Sequence, residues 1–263
     1  MTDTSIRLTV FILILTAMLV WEKSSAFIST QPRFTKRWFN NVGISVLNSI
    51  ALSLLGPLSA LAVAHWAISH KVGLFNFLDV PAYLSMILSI IFLDLAIYTQ
   101  HLAAHRFNWF WRIHRMHHAD PFFDVTTAIR FHPLEILLSA FIKMTIIVFI
   151  GAPVIAVLTF EIILSAMALF NHGNISLPKK IEPAVRWFFV TPDMHRIHHS
   201  QLKSEHHSNF GFNLSIWDRI FKTYTKQFRD DNFSIGLSEF HDKKENSTMV
   251  GMLTMPFKAT PKN

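Results

Sequence analysis

Histidines at helical spacing are the residues of this sequence best suited to chemistry. The chain has 15 histidines in 263 residues and no cysteine, which excludes disulfides, thiolate metal sites and iron–sulfur clusters. One string, HLAAH, places two histidines four residues apart, and HRMHH and HRIHH each place three at i, i+3 and i+4. Because residues three and four apart share a helix face, we expect each string to offer two or three imidazoles to one point. The candidate metal ligands are His101, His105, His114, His117, His118, His172, His195, His198 and His199.

The number of these histidines indicates two metal ions, since nine imidazoles exceed what one ion can bind. Histidine without thiolate suits iron, zinc, copper or nickel. A structural zinc site needs only four ligands, whereas two histidine-bound irons would leave positions open for O₂. The spacing therefore favours a pair of iron ions (Fe²⁺/Fe³⁺) with O₂ as cosubstrate and leaves zinc as the alternative. We expect no catalytic residue beyond the ligands.

Other polar residues near the histidines are candidates to orient the ligands. A ligating imidazole usually donates its other N–H to a carboxylate or a carbonyl. An ionisable residue inside an apolar stretch is functional by default, which singles out Asp94, although pairing with Lys143 or Glu161 is an alternative. We expect His65 and His70 to be interfacial, and His206 and His207 to be loop residues. The candidate orienting residues are His132, Asp120, Asp124, Asp193, Asn174 and Asp218.

Apolar stretches must position these residues. Hydrophobic residues make up 51% of the chain and charged residues only 16%, against about 25% charged in soluble domains. Gly151-Ala152-Pro153 predicts a turn between two helices, with one kinked helix as the alternative. We expect an all-α integral membrane bundle of about four to five spans with a cytoplasmic helical cap that carries the histidines. The apolar stretches run roughly over 8–21, 42–68, 82–99, 134–150 and 154–170.

The basic residues predict the orientation of the bundle. Lysine and arginine concentrate in 22–41, in 100–133 and after 171, and such segments stay on the cytoplasmic side. Both histidine-rich segments then lie on that side. Cleavage of a signal peptide after 24–26 is an alternative that would leave four spans. The expected divisions are an anchor over 1–80, a catalytic domain over 81–240 and a polar, poorly ordered tail over 241–263.

These strings together resemble the fatty acid hydroxylase superfamily, also called the sterol desaturase family. The matching strings cover roughly residues 84–240 and are HLAAHRFNWFWRIHRMHHAD, FDVTTAIRFHPLE, NHGN, TPDMHRIHHS and SNFGFNLSIWDRIFKTY. The resemblance places the ligands of a non-haem di-iron centre on the nine histidines named above. It implies hydroxylation or desaturation of a fatty acyl, sterol or related isoprenoid lipid that enters from the bilayer. Lys222, in place of the usual glycine, and the pair His206–His207 depart from the family pattern.

The electrons for such a reaction must come from elsewhere. The chain has eight glycines and no GxGxxG string, so no dinucleotide site is indicated. We expect a separate ferredoxin, cytochrome or reductase at the basic surface, and no nucleic acid partner. Carotenoid or ether-lipid monooxygenases would use the same chemistry. A metal transporter or a membrane zinc hydrolase remains an alternative of another class, although transporter ligands should lie near the bilayer midplane.

Overall fold

The computed structural model describes residues 2–29, 36–55, 58–228, 234–240 and 244–259. These ranges contain helices and two isolated β-bridges, but no β-strand. The α-helices are α1 Asp3–Ser25, α2 Lys36–Ser53, α3 Ala60–Ser69, α4 Leu74–Phe77, α5 Ala82–Arg106, α6 Asn108–His118, α7 Pro133–Ile150, α8 Val154–Asn171, α9 Glu182–Phe188, α10 Pro192–His198, α11 Lys203–His206, α12 Ile216–Ile220, α13 Lys244–Ser247 and α14 Met249–Thr254.

Four of the described helices, α1, α5, α7 and α8, are long and apolar enough to cross a membrane. They confirm the prediction of an all-α integral membrane fold. The ends that carry or adjoin histidines gather at one level, which we call the cap level. Glu22, near the end of α1, accepts hydrogen bonds there from the backbone N–H groups of Val125 and Asn174 at 2.8 and 2.7 Å. Helix α5 ends at the same level with His101 and His105.

The chain must return across the apolar layer between α1 and α5, because α1 ends and α5 begins at opposite levels. Helices α2 and α3 provide this return in two pieces along α7. Asn48 of α2 donates to the carbonyl of Phe131, just before α7, at 2.8 Å. Ala64 of α3 packs in one apolar cluster with Ile147 and Ile150, near the other end of α7.

The uninterrupted second span expected over 42–68 is wrong. Helix α2 ends at Ser53, and Ser59 begins α3 by accepting a hydrogen bond from the N–H of Ala62 at 3.2 Å. Gly56 and Pro57, which lie between the two helices in the sequence, are outside the described residues. A serine cap of this kind is a strong helix start, and apolar composition alone did not reveal it.

The turn predicted at Gly151-Ala152-Pro153 is confirmed, since α7 ends at Ile150 and α8 begins at Val154. Gly151 has φ +69°, the left-handed conformation that glycine adopts without cost. Gly73 faces it with φ +101°, and a Cβ on Gly73 would lie 2.6 Å from the carbonyl oxygen of Val148. Two turns therefore meet backbone to backbone at the far end of the bundle.

We expect the substitution Gly73→Ala to destabilise the protein by about 2–4 kcal/mol, because it combines a strained φ with a backbone clash. Thermal unfolding in detergent would measure the change. Gly43→Ala is the matched control, since its new Cβ would meet only the flexible end of the Met249 side chain. Alanine also favours a helix interior over glycine by about 1 kcal/mol. Equal melting temperatures for the two variants would contradict this account.

Residues of the C-terminal segment pack onto the cap. Met252 and Met255 are fully buried in a cluster with Ile44 and Met116. Arg115 donates to the carbonyl of Lys258 at 2.7 Å. The expectation of a poorly ordered tail is therefore wrong for 244–259, because its apolar side chains have a surface to cover. The division at residue 241 stays a prediction, and His241 lies outside the described residues.

Candidate metal centre

The structure gathers the nine candidate histidines into two buried groups. In each group, one ring nitrogen per residue lies within 4.8 Å of those of the other members. Every one of the nine residues is buried. Group A contains His101, His105, His114, His118 and His198. Group B contains His117, His172, His195 and His199.

Each string brings two imidazoles to one group, as expected, and the HRMHH and HRIHH strings each place their third histidine in the other group. His114 and His118 belong to group A while His117 belongs to group B, and His198 and His199 likewise separate. The reason is helical geometry. Residues four apart differ by about 40° around the axis, whereas neighbouring residues differ by about 100°. A histidine doublet therefore points to two places.

Four segments of the chain deliver these rings. His101 and His105 close α5, and α6 carries the next three histidines. His172 is the residue that ends α8. The short helix α10 begins at Thr191, whose hydroxyl accepts from the N–H of Met194 at 3.3 Å. This cap fixes the start of α10 and so the direction in which its histidines point.

Backbone carbonyls fix the orientation of four rings. Their Nδ1 atoms lie close to carbonyl oxygens, which can only accept a hydrogen bond, so Nδ1 carries the proton and Nε2 keeps a lone pair. This is the usual way in which a metal-binding imidazole is held. The pairs are His101 with Phe210 at 2.9 Å, His117 with Arg130 at 3.3 Å, His172 with Ala168 at 2.8 Å and His198 with Ser208 at 2.7 Å.

Ring nitrogens that make no hydrogen bond to a carbonyl or carboxylate are arranged as metal ligands would be. Nε2 atoms face one another between His114 and His118 at 3.1 Å and between His172 and His195 at 3.0 Å. Both ring nitrogens of His105 and of His199 are buried without a hydrogen-bond partner among the described residues. Buried nitrogens without partners are rare in proteins. Facing lone pairs and unpartnered nitrogens are both explained if each group holds one ion, so the donor set fits two metal ions.

Five rings outside the spans are held neutral, the form that binds metal. Burial first, and then the neighbouring imidazoles, lower the pKa of His117, His118, His195, His198 and His199 well below 6.5.

The metal-free protein should lose stability as the pH falls below about 6.5. Below that pH the histidines of the unfolded chain take up protons while those of the folded chain do not, so acid stabilises the unfolded state relative to the folded state. The free energy of unfolding should fall by at most about 1.4 kcal/mol per pH unit for each ring. Thermal unfolding of chelator-treated protein at several pH values between neutral and mildly acidic would measure this. A melting temperature that rises on acidification would contradict it.

Glu135 is a site residue that the sequence analysis missed. Its Oε1 accepts a hydrogen bond from Nδ1 of His114 at 2.6 Å, and both groups are buried. Glu135 lies in the first turn of α7, three residues after His132, which caps that helix through the N–H of Leu134. A glutamate three residues after a helix cap is a recognisable signal, but its reach toward α6 required the structure.

We expect the substitution Glu135→Leu to weaken metal binding by about 10–100-fold, the usual effect of losing a group that orients a ligand. Competition with a chelator of known affinity would measure it. Glu135→Gln is the matched control, because an amide oxygen can still accept from His114. It should retain most of the affinity. If the glutamine and leucine variants bind metal equally weakly, the hydrogen bond to His114 does not explain the role of Glu135.

Three predicted orienting carboxylates bond to residues other than the nine histidines. Asp120 and Asp124 accept from Arg37, with N–O distances of 2.9 Å to each. Asp193 accepts from Arg196 at 2.5 Å and from Ser176 at 2.6 Å. They fix the loops that follow α6 and precede α10. A role in orienting the ligands stays a prediction and would be indirect.

The other three predicted residues also act at a distance from the rings. Asn174 bonds the backbone of Ile28 through both ends of its amide, at 2.9 Å each. His132 caps α7 and bonds the carbonyl of Leu253 at 3.1 Å. Asp218 accepts from the N–H of Phe210 at 2.8 Å, and the carbonyl of Phe210 in turn holds His101. Asp218 therefore supports a ligand through one backbone unit.

Asp94 links α5 to α12 and does not pair with Lys143 or Glu161, so that alternative is wrong. Its Oδ2 accepts from Nε1 of Trp217 at 2.8 Å and from the N–H of Leu214 at 3.2 Å. Lys143 and Glu161 pair with each other instead. Asp94 therefore joins the membrane helix that carries His101 to the segment that follows Phe210.

The remaining histidines lie outside both groups. His206 is buried on α11, its ring stacked on Trp111 at 5.5 Å, and its Nδ1 bonds the carbonyl of Ser200 at 3.1 Å. His207 follows it at the end of that helix, half-buried. His65 and His70 are exposed on and after α3, where His70 stacks on Trp66.

One cavity reaches both groups. It offers about 130 Å³ of water-accessible space at the junction of α5, α7 and α8. Two histidines of each group open onto it, and most of the other lining residues are apolar. A single molecule in this cavity would contact histidines of both groups. The lining residues are Ile97, Gln100, His101, His114, His117, Phe131, Glu135, Ile136, Ser139, Leu164, His195 and Phe212.

Known proteins similar to this chain act on lipids, according to their names. Ornithine lipid hydroxylase OlsE of Rhizobium tropici is 26% identical over 215 residues, which cover 82% of this chain and 62% of that protein. Alkylglycerol monooxygenase of Homo sapiens is 29% identical over 136 residues, 50% of this chain and 28% of that protein. The Caenorhabditis elegans enzyme of the same name is 26% identical over 156 residues, 57% of this chain and 29% of that protein.

The chain thus spans less than two thirds of the length of each of these relatives. No solved structure matches it at a significant level. The model of the fatty acid hydroxylase family matches residues 86–223, slightly more than half of the chain. This range contains all nine histidines of groups A and B, the cavity that joins them, and Glu135. The protein therefore belongs to the fatty acid hydroxylase family.

Proposed function

We propose that this chain is a membrane-bound non-haem di-iron oxidoreductase that uses O₂ and external electrons to hydroxylate a lipid. The observation that carries the proposal is the cavity shared by the two histidine groups, whose lining is mostly apolar apart from the histidines themselves. Two iron ions would be held by groups A and B. Bound iron would supply the activation of O₂ that oxidises an unactivated C–H bond.

The residues of the chain perform the other tasks. The carbonyls of Phe210, Arg130 and Ser208, with Glu135, hold the ligand rings in place. Burial of the rings separates both groups from bulk water except through the cavity. The apolar lining of the cavity positions one C–H bond beside both ions, and such positioning is a large part of enzymatic rate acceleration.

The relatives favour hydroxylation over desaturation, since their names are those of a hydroxylase and monooxygenases. Their named substrates, ornithine lipid and alkylglycerol, support a polar lipid as the substrate class. We expect the electrons to come from a separate ferredoxin, cytochrome or reductase. The lysines and arginines of 22–41, 100–133 and the region after 171 support a cytoplasmic centre and a basic docking surface.

A zinc hydrolase is the second candidate, because histidine nitrogens also bind zinc. A transporter is less compatible, since the histidines lie at the cap level and not midway along the spans.

Isotope labelling separates the two enzyme candidates. The full chain is expressed in a host membrane, and the lipids are compared with those of cells that carry the vector alone. We expect a lipid that gains one oxygen atom, and the label should come from isotopically labelled O₂. Label from water would support the hydrolase, and a loss of two hydrogens would support desaturation. Protein purified without oxygen should contain iron, whereas zinc alone would contradict the proposal.

A further inference from the structure

The cavity contains a polar group that neither histidine group explains. Gln100, directly before His101 on α5, lines the cavity. Its Oε1 is buried and has no hydrogen-bond partner among the described residues. Buried polar atoms in proteins are almost always hydrogen-bonded. An amide oxygen only accepts hydrogen bonds, so an O–H or N–H donor in the cavity would satisfy it.

The depth of Gln100 relative to the apolar lining residues indicates how a lipid would be oriented in the cavity. Gln100 and His101 are neighbours in sequence and therefore lie at nearly the same depth. Ile97 lies one turn of α5 further from the cap level, and Leu164 lies seven residues before the end of α8. The polar end of the cavity is thus beside the candidate metal ligands, and its deeper part, where Ser139 is the one polar lining residue, extends into the bilayer layer.

We propose that Gln100 is a specificity-determining residue whose amide oxygen accepts a hydrogen bond from a hydroxyl or amide N–H of the lipid substrate. The donor lies beside the metal centre, and the alkyl chain extends past Ile97 toward Leu164. The attacked carbon is therefore close to the polar group and not in the middle of the chain. The position of the oxidised carbon rests on the proposed function, whereas the binding of the donor group by Gln100 does not.

Paired probes test the binding without turnover. The full chain in lipid nanodiscs is titrated with 1-hexadecanol and with its methyl ether, which has the same chain but no donor. Displacement of a fluorescent alkyl probe gives the two affinities. Wild-type protein should prefer the alcohol by about tenfold, the value of one well-placed buried hydrogen bond.

Variants at and beside Gln100 assign this preference to its oxygen. Gln100→Met keeps the length of the side chain but removes the acceptor, so the two probes should bind within about twofold of each other. Gln100→Glu keeps an acceptor and should keep the preference. Thr99→Val is the matched control, because Thr99 is exposed and its hydroxyl bonds the carbonyl of Ala96 at 2.9 Å. It should behave as wild type.

Several results would overturn the proposal. Equal affinity of the wild-type protein for the two probes would contradict it, and so would a tenfold preference that Gln100→Met retains. If Gln100→Met binds both probes more tightly by the same factor, the partner of Oε1 is water and the proposal is wrong. In turnover, oxidation in the middle of the chain would also contradict it. Because the titration needs neither iron nor O₂, its failure leaves the proposed oxygenase untouched, and failure of oxidation leaves the binding result standing.

Discussion

The substitution His117→Ala should lower the metal content of the purified protein from two ions to one and reduce lipid oxidation by at least about 100-fold. Group B has four histidines, and this change leaves three. The lost ligand also bridges segments, because its Nε2 faces Nε2 of His172 at 3.1 Å. Metal analysis of protein purified without oxygen, together with product measurement, would check both parts.

Two further histidine variants make the test specific. His105→Ala removes one of five ligands from group A and leaves four, so it should cost less metal than His117→Ala. His70→Ala changes an exposed histidine at the end of α3, far from both groups, and should leave metal and activity unchanged. If the His117→Ala protein keeps the metal content of the wild type, group B is not a metal-binding site.

The substitution Arg37→Met should destabilise the protein by about 3–5 kcal/mol, the usual cost of removing one partner from a buried ion pair. Arg37 is buried and contacts Asp120 and Asp124, each at 2.9 Å. Burial alone would lower the pKa of Arg37, but the two carboxylates raise it above its usual value. Removal of the guanidinium would leave two carboxylates buried without their cation. Thermal or denaturant unfolding in detergent would measure the loss.

The triple variant Arg37→Met, Asp120→Asn, Asp124→Asn is the control for this prediction. It removes the stranded charges along with the guanidinium, so it should recover more than half of the lost stability. If the triple variant is less stable than the single one, the buried charges are not the cause. In that case the hydrogen bonds that the Asp124 carboxylate accepts from Thr126 and Trp38 carry more of the stability.

The sequence was sufficient to predict the parts of this protein that depend on local periodicity. Hydrocarbon solvent requires long apolar helices, and the spans α1, α5, α7 and α8 follow directly from that requirement. The turn at Gly151 follows from glycine and proline chemistry. The nine histidines stand out because imidazole is costly to bury unless it binds a proton donor or a metal.

The parts that depend on contacts between distant segments were not predictable in the same way. The hydrogen bond between Glu135 and His114 joins α7 to α6. The sequence of neither helix indicates that the other is its partner. Met252 packs in one buried cluster with Ile44, so the C-terminal segment forms part of the core. Nothing in the sequence of that segment indicates this contact. The assignment of His117 and His118 to different groups depends on where α5, α8 and α10 lie around α6.

The histidine doublets make the two halves of the centre mechanically inseparable. His117 and His118 are consecutive on α6, as His198 and His199 are at the end of α10, and each doublet serves both groups. A rotation or slide of either helix would displace rings on both sides at once. The separation of the two groups is thus constrained by the main chain, because consecutive residues of one helix serve both. Side-chain substitutions elsewhere in the cavity would change which molecule fits beside the histidines without changing the distance between the two groups.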